Sequence, residues 1–211
     1  MDNKDLTVIN LYGGPGSGKS TTAAGTFHLM KMKLYDVELV TEFAKDLVYQ
    51  KRTHMFTEQD YISAKQHHRL RRLVQYGVKY CITDSPLLFA HLYAPHDYFP
   101  SFLPFINEVF NSYTNINIFI RRVKQYTQKG RVENEEEAKE IDRKNLELFF
   151  NLEQPFFVID GNVGACKTVL TIISDPILSI EESLHPKCGF SYINPTESNR
   201  QQFFEWFDCR R

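Results

Sequence analysis

Residues 6–22 read LTVINLYGGPGSGKSTT, and the order of residue types in that stretch decides the fold. An apolar, β-rich run from Leu6 to Tyr12 breaks into glycine, and a helix is expected to begin near Lys19. Gly13 and Gly18 stand at the spacing GxxxxGK[ST], which Lys19 and Ser20 complete. Each residue type has a task. Glycines let backbone N–H groups wrap phosphate oxygens, the lysine reaches the β- and γ-phosphates, and the hydroxyl of the next residue ligates Mg²⁺. Gly13, Gly14, Pro15, Gly16, Ser17, Gly18, Lys19, Ser20 and Thr21 are therefore the expected nucleotide-binding residues. The plain alternative is a glycine turn with no ligand. Its place between a strand and a helix favours the phosphate cradle. Thr21 and Thr22 either add a phosphate contact or simply belong to the helix.

Working outward, four more short strands are predicted at Val37–Val40, Tyr80–Thr83, Ile116–Ile120 and Phe156–Ile159. Helices are predicted over about 19–33, from a capping-box-like TEQD at 57–60 to near Gly77, over about 135–152 and over about 164–173. The third of these carries Glu135/Lys139 and Glu140/Lys144 pairs four apart, in the favourable orientation. Strands alternating with helices give an α/β class. The predicted architecture is a P-loop NTPase fold, with a five-stranded parallel sheet of order 2-3-1-4-5 flanked by helices and ligands at the carboxyl ends of the strands. Residues 1–174 form the expected kinase-like domain, with a lid over about 121–134. Residues 175–211 form a loop-rich extension packed on the same domain. Phe203 and Phe207 in that extension lie four apart and share a helical face, the pattern of a helix docked on its own core.

Composition narrows the class. The 211 residues suit one sizeable domain, and 42% hydrophobic with 14% aromatic content supplies a core. A formal charge of −1 argues against a strongly basic nucleic-acid binder. Cys81, Cys166, Cys188 and Cys209 lie far apart, which speaks for a reducing compartment and against a thiol-ligated zinc site. The polar start MDNKDLT is no signal peptide, and no apolar run is long enough to span a membrane, so the expected location is the cytoplasm.

A second metal ligand is expected at the end of a strand beside the first. Asp84 follows YCIT and Asp160 follows FFVI. In the order 2-3-1-4-5 the third strand neighbours the first, which selects Asp84 to join Ser20 and leaves Asp160 structural or near the base. Glu42 follows the second strand, where a carboxylate can take or orient the proton of an attacking hydroxyl, or simply satisfy a helix N-terminus. The stretch RRVKQYTQKGRVENEEEA after the fourth strand supplies Arg121, Arg122, Lys124, Lys129 and Arg131. Small-molecule kinases use arginines of such a lid to neutralise the transferred phosphoryl group, whereas most charge runs are solvated loops. A guanine-specific [NT]KxD and a γ-phosphate-sensing DxxG occur nowhere usable, which argues against a GTPase switch.

GGPGSGKSTT (13–22), VTEFAKDLV (40–48), SAKQ (63–66), CITDSP (81–86) and GRVENEEEAKEID (130–142) occur in that order. Together they resemble the P-loop family that includes the nicotinamide riboside kinase domain of the bacterial NAD-biosynthesis regulator, with small ATPase-like relatives in phages. The resemblance covers roughly residues 6–173. It implies ATP and Mg²⁺ as cofactors, Glu42 and Asp84 serving the acceptor and the metal, and Arg131 as the lid arginine; Arg121 of the same charged stretch is a further catalytic candidate. It also implies that some members act only as regulators, so fold and activity are separate questions.

The acceptor expected on this footing is nucleoside-like. Tyr93, Tyr98, Phe99 and Phe102 offer stacking surfaces, Asp97 could hold ribose hydroxyls, and Arg122 is a further substrate candidate. Lys65, Arg69, Arg71 and Arg72 make a basic helix, read as a solvated face. The expected activity is phosphorylation of the 5′-hydroxyl of nicotinamide riboside or a related nucleoside. One alternative is a nucleotide or polynucleotide kinase. The other is a nucleotide-binding regulatory ATPase or GTPase that holds a partner or lipid through its aromatic tail.

Overall fold

A computed structural model describes residues 3–127, 134–175 and 189–209. The strands are β1 (Asn3–Tyr12), β2 (Val37–Val40), β3 (Tyr80–Thr83), β4 (Tyr113–Arg121), β5 (Phe156–Asp160) and β6 (Phe190–Ile193). The helices are α1 (Lys19–Met32), α2 (Ala44–Tyr49), α3 (Gln59–Gln75), α4 (Ala90–Tyr93), α5 (Phe102–Asn111), α6 (Glu135–Asn151), α7 (Ala165–Ser174) and α8 (Glu197–Asp208). The six strands form one sheet in the order β2-β3-β1-β4-β5-β6. The first five strands follow the predicted order. The count of five does not hold, because β6 adds a sixth strand antiparallel to β5. Four residues after a glycine at a sheet edge carry too little alternation to stand out in the sequence.

β1 shows why the sheet centre lies where it does. Leu6, Ile9, Leu11 and Tyr12 are fully buried, as expected of a central strand covered on both faces. The described residues fall into two compact units, Met1–Leu11 with Met30–Ile116 and Tyr12–Leu29 with Asn117–Arg211.

In the first unit β3 pairs in parallel with β1 and β2, with Asn10 opposite Thr83 and Val40 opposite Thr83. The carboxyl ends of β2 and β3 are thereby level. α3 ends at Gln75 with Tyr76 as its cap, and Gly77 just beyond takes φ +73° and so turns the chain back toward β3. The capping box read at 57–60 is not formed. A 3-10 turn occupies Thr53–Thr57 instead, and the Thr57 hydroxyl donates to the His54 carbonyl. The nearby backbone turn outcompetes the helix cap for that hydroxyl.

In the second unit α6 opens with a capping box between Asn134 and Glu137. The two predicted ion pairs along it form, at 3.3 Å (Glu135–Lys139) and 3.8 Å (Glu140–Lys144). α8 docks through Phe203 and Phe207, both buried, against Phe150, Phe156 and Phe119. Arg143 of α6 lies over the Phe204 ring and pairs with Asp208 at 3.5 Å. The extension read as loop-rich thus contributes a strand and a helix. No helix among the described residues is long and apolar enough to cross a membrane.

Candidate functional site

The phosphate loop, residues 13–20, lies within the second unit. It leaves β1 and enters α1, whose first turn carries no acidic residue, so the positive end of that helix is left for an anion. Ser20 and Thr21 are exposed in that turn, and Thr22 is buried. The Lys19 ammonium lies against the loop itself, donating to the carbonyls of Gly13 at 2.6 Å and Gly14 at 3.2 Å.

The outer side of the loop is packed tightly. A Cβ on Gly14 would overlap the Ala138 carbonyl of α6, so only glycine allows that approach. The Gly14 N–H donates to Asp142 Oδ1 at 2.5 Å. Asp142 also accepts from Arg122 Nη2 at 2.9 Å, and Arg122 Nη1 donates to the Pro15 carbonyl at 2.5 Å. The Asp142 side chain is buried and that of Arg122 nearly so, at 7% and 9% exposure. Losing one partner of such a pair strands a buried charge and typically costs about 3–5 kcal/mol. The Arg122 guanidinium also lies 5.5 Å from the Tyr126 ring centre, and Tyr126 lies close over Gly16. On another side, Gly161 touches the Ser17 carbonyl so closely that a Cβ there would overlap it.

Of the arginines expected in a lid, Arg121 is the last residue of β4 and pairs with Asp160, through Nε at 2.8 Å and Nη2 at 2.5 Å. Register explains the pair, since Arg121 stands opposite Asp160 across β4 and β5. Arg122 is engaged with Asp142 and the phosphate loop. Lys129 and Arg131 lie outside the described residues.

The first unit holds Glu42 and Asp84. Asp84 is buried, and its Oδ1 accepts from the Glu42 backbone N–H at 3.1 Å. The segment around Glu42 is tied from α3. Arg69 donates to the Thr41 carbonyl at 2.7 Å and to Asp46 at 2.9 Å, and lies 5.4 Å from the Phe43 ring centre. Arg69 therefore leaves the solvated basic face, while Arg71 and Arg72 are exposed. The turn after β3 is fixed by Thr83, whose hydroxyl oxygen accepts from the Ser85 N–H and from Gln66 Nε2. An Mg²⁺ ion needs hard oxygen donors and takes one or two carboxylates plus phosphate oxygens. The Asp84 carboxylate suits that demand, and no group of three His, Cys, Asp or Glu forms a ready-made metal cage among the described residues.

Among the acceptor candidates, Tyr98 exchanges hydrogen bonds with Asp60, which lowers the Asp60 carboxyl, and packs edge-on against Phe99 and Phe102. Phe102 is buried, whereas Tyr93, Asp97 and Phe99 are exposed. Burial pushes the Cys81 thiol upward, which removes it as a nucleophile.

Sequence reading gave no role to Asp142, Gly161 or Tyr126, and missed the tie made by Arg69. For Asp142 a signal existed. Ala138, Asp142, Asn145, Leu146 and Phe149 form the buried stripe of α6 at helical spacing, so one acid falls on the apolar face of an acid-rich helix.

The profile of the AAA domain family AAA_28 matches residues 8–165. No curated protein matches the sequence. Among solved structures, the NadR protein in complex with NR superposes with a TM-score of 0.57 at 14% identity, covering 81% of this chain. The chain spans about half the length of that protein, 50%. APE1195 aligns over 98% of this chain and 97% of its own, at 14% identity and a TM-score of 0.35. At these identities the NadR likeness shows the fold.

Proposed function

The chain belongs to the AAA domain family AAA_28, and on that premise we propose that it is an ATP- and Mg²⁺-dependent kinase of a nucleoside-like small molecule, with nicotinamide riboside the first acceptor to test. The observation that carries this reading is the Glu42 N–H bond to Asp84. It keeps two acid-bearing residues together at the level ends of neighbouring parallel strands.

In this reading the phosphate loop and Lys19 hold the ATP phosphates. Ser20 on the phosphate loop and Asp84 in the first unit are the residues assigned to hold Mg²⁺, which when bound would neutralise phosphate charge. Glu42 orients the acceptor hydroxyl and takes its proton. The hydroxyl oxygen bonds to the γ-phosphorus as the bond to the bridging oxygen breaks, and ADP leaves. Arg121 and Arg122 are engaged in ion pairs, so Arg131 is the arginine assigned to the transferring oxygens. Its planar fork can engage two of them at once. Tyr93 and Asp97 are the exposed candidates for the acceptor's ring and ribose. The rival regulatory reading relied on the aromatic tail, and burial of Phe203 and Phe207 in their own unit weakens it.

The test is a panel of nucleosides, nucleotides and nucleic-acid ends incubated with ATP and Mg²⁺ and read by mass spectrometry. One nucleoside gaining a phosphate supports the proposal. A phosphorylated nucleotide or nucleic-acid end moves the reading to the nucleotide or polynucleotide kinases. Slow hydrolysis with no phosphorylated product overturns it in favour of a regulator.

A further inference from the structure

We infer that Asp142 and Arg122 act as a positioning pair that sets the shape of the phosphate loop, rather than as substrate ligands. The inference rests on the reading of residues 13–20 as a nucleotide site. The loop's working parts are backbone N–H groups, so its affinity depends on where that backbone is held. Two consecutive residues of the loop, Gly14 and Pro15, are held here by one ion pair, through the peptide groups on either side of the bond that joins them. The N–H of Gly14 is taken by Asp142 Oδ1, and the carbonyl of Pro15 by Arg122 Nη1. The pair closes on itself through Arg122 Nη2 and Asp142 Oδ2 at 2.9 Å. Ala138, one turn before Asp142 on α6, presses its carbonyl against Gly14 so closely that no side chain would fit there. Arg122 Nη2 reaches the same carbonyl at 3.4 Å.

A pair that existed only for core stability would have no reason to bond the loop backbone at both ends. A buried charge pair is also a poor choice for stability alone, since apolar residues of equal volume usually serve as well. What the charges add is direction. A carboxylate accepts from one amide and a guanidinium fork spans a carbonyl and a carboxylate together. Arg122 follows the last residue of β4, so the brace is anchored to the sheet on one side and to α6 on the other.

The experiment separates shape from stability. The dissociation constant of methylanthraniloyl-ADP is measured in EDTA, with the melting temperature, for the wild type, Arg122→Lys, Asp142→Asn and the double variant Arg122→Met/Asp142→Leu. The double variant removes both charges together, so its melting temperature should return close to wild type while its affinity stays at least about tenfold weaker. Asp142→Asn keeps an acceptor for Gly14 and should bind within about threefold of wild type. Arg122→Lys keeps the charge but cannot span Pro15 and Asp142, and should lose about tenfold. A double variant that melts and binds like wild type overturns the inference. If the double variant does not fold, Arg122→Lys decides alone, and wild-type affinity there overturns it too. A wild-type protein that binds no nucleotide would instead overturn the nucleotide reading itself.

Discussion

The phosphate loop and the acid-bearing turns of the first unit are held in different ways. Around the loop the contacts are largely buried and charged, with Asp142 and Arg122 gripping the consecutive residues Gly14 and Pro15, and Gly14 and Gly161 allowing backbone to touch backbone. Around Glu42 and Asp84 the ties are one amide bond, a threonine hydroxyl and an arginine paired with a half-exposed aspartate. A phosphate group is the same in every nucleotide, and a fixed backbone suits it. Acceptors differ, and if Glu42 serves one as proposed, the looser ties around it leave room for adjustment. Damage to the loop should therefore be severe and specific to the nucleotide. Damage on the acid-bearing side should be graded and specific to the acceptor.

The largest effect is expected from Lys19→Ala. It removes the cation that the proposed function assigns to the phosphates and should reduce turnover on the order of 10³-fold. The melting temperature should stay within a few degrees, because Lys19 bonds loop carbonyls and little else is buried by it. Steady-state kinetics and a thermal melt check both, and wild-type turnover would dissolve the contrast between the two regions.

Phe207→Ala comes next and probes stability alone. The ring is 2% exposed and packs on Phe119 and Phe203. Its removal should cost about 3 kcal/mol or somewhat more in chemical denaturation. Unchanged stability would mean that α8 is dispensable and would revive the partner-binding reading of the tail.

Asp84→Asn should lower turnover roughly 10²-fold and raise the Mg²⁺ requirement, measured by metal titration. Asp160→Asn should act more mildly, because its carboxylate already serves Arg121. The reverse ranking would move the metal role to Asp160.

Arg69→Ala loosens the segment that carries Glu42. A change of several-fold in the acceptor KM is expected, with ADP affinity unaltered and a stability loss of about 1 kcal/mol or less for the partly exposed pair with Asp46. An equal fall in nucleotide affinity would show that the two regions are not separately adjustable.

Acid should act gently, and through the first unit. Burial lowers His67, with Arg71 and His68 adding to it, and burial lowers His91 against its bond to Asn107. Both sit below the ordinary value of 6.5 in the fold, so the unfolded chain takes up their protons first. Their contribution is complete above that value and is lost as pH falls beneath it. The melting temperature should be lower at about pH 5.5 than at about pH 7.5, and His67→Phe/His91→Gln should narrow the gap. A gap of unchanged width would assign the acid sensitivity to other groups.

The phosphate loop was legible in the sequence because its mechanics demand particular residues at fixed spacing. The first five strands were legible because β-branched and aromatic runs ended in turn residues, and their order followed from the fold that the loop implied. β6 was not, being four residues at an edge. The roles of Asp142 and Arg69 were hidden for another reason. Each lies in a charged helix where composition predicts solvation, and only the tertiary contact turns one charge inward. Asp142 could have been singled out by its place on the stripe of Ala138, Leu146 and Phe149. Arg69 could not, since a partner far along the chain decides where it points. The acceptor contacts were least legible, because an exposed tyrosine or aspartate has the same sequence signature whether it meets a ligand or water.

The central claim is transfer of phosphate to an acceptor, and the partition of the γ-phosphate measures it most directly. ADP, inorganic phosphate and phosphorylated nucleoside are quantified together during turnover of ATP and Mg²⁺ with nicotinamide riboside. The expected result is ADP formed one for one with phosphorylated nucleoside, with turnover rising sharply when the acceptor is added and little free phosphate. ADP matched one for one by inorganic phosphate, at a rate indifferent to the nucleoside, would contradict it.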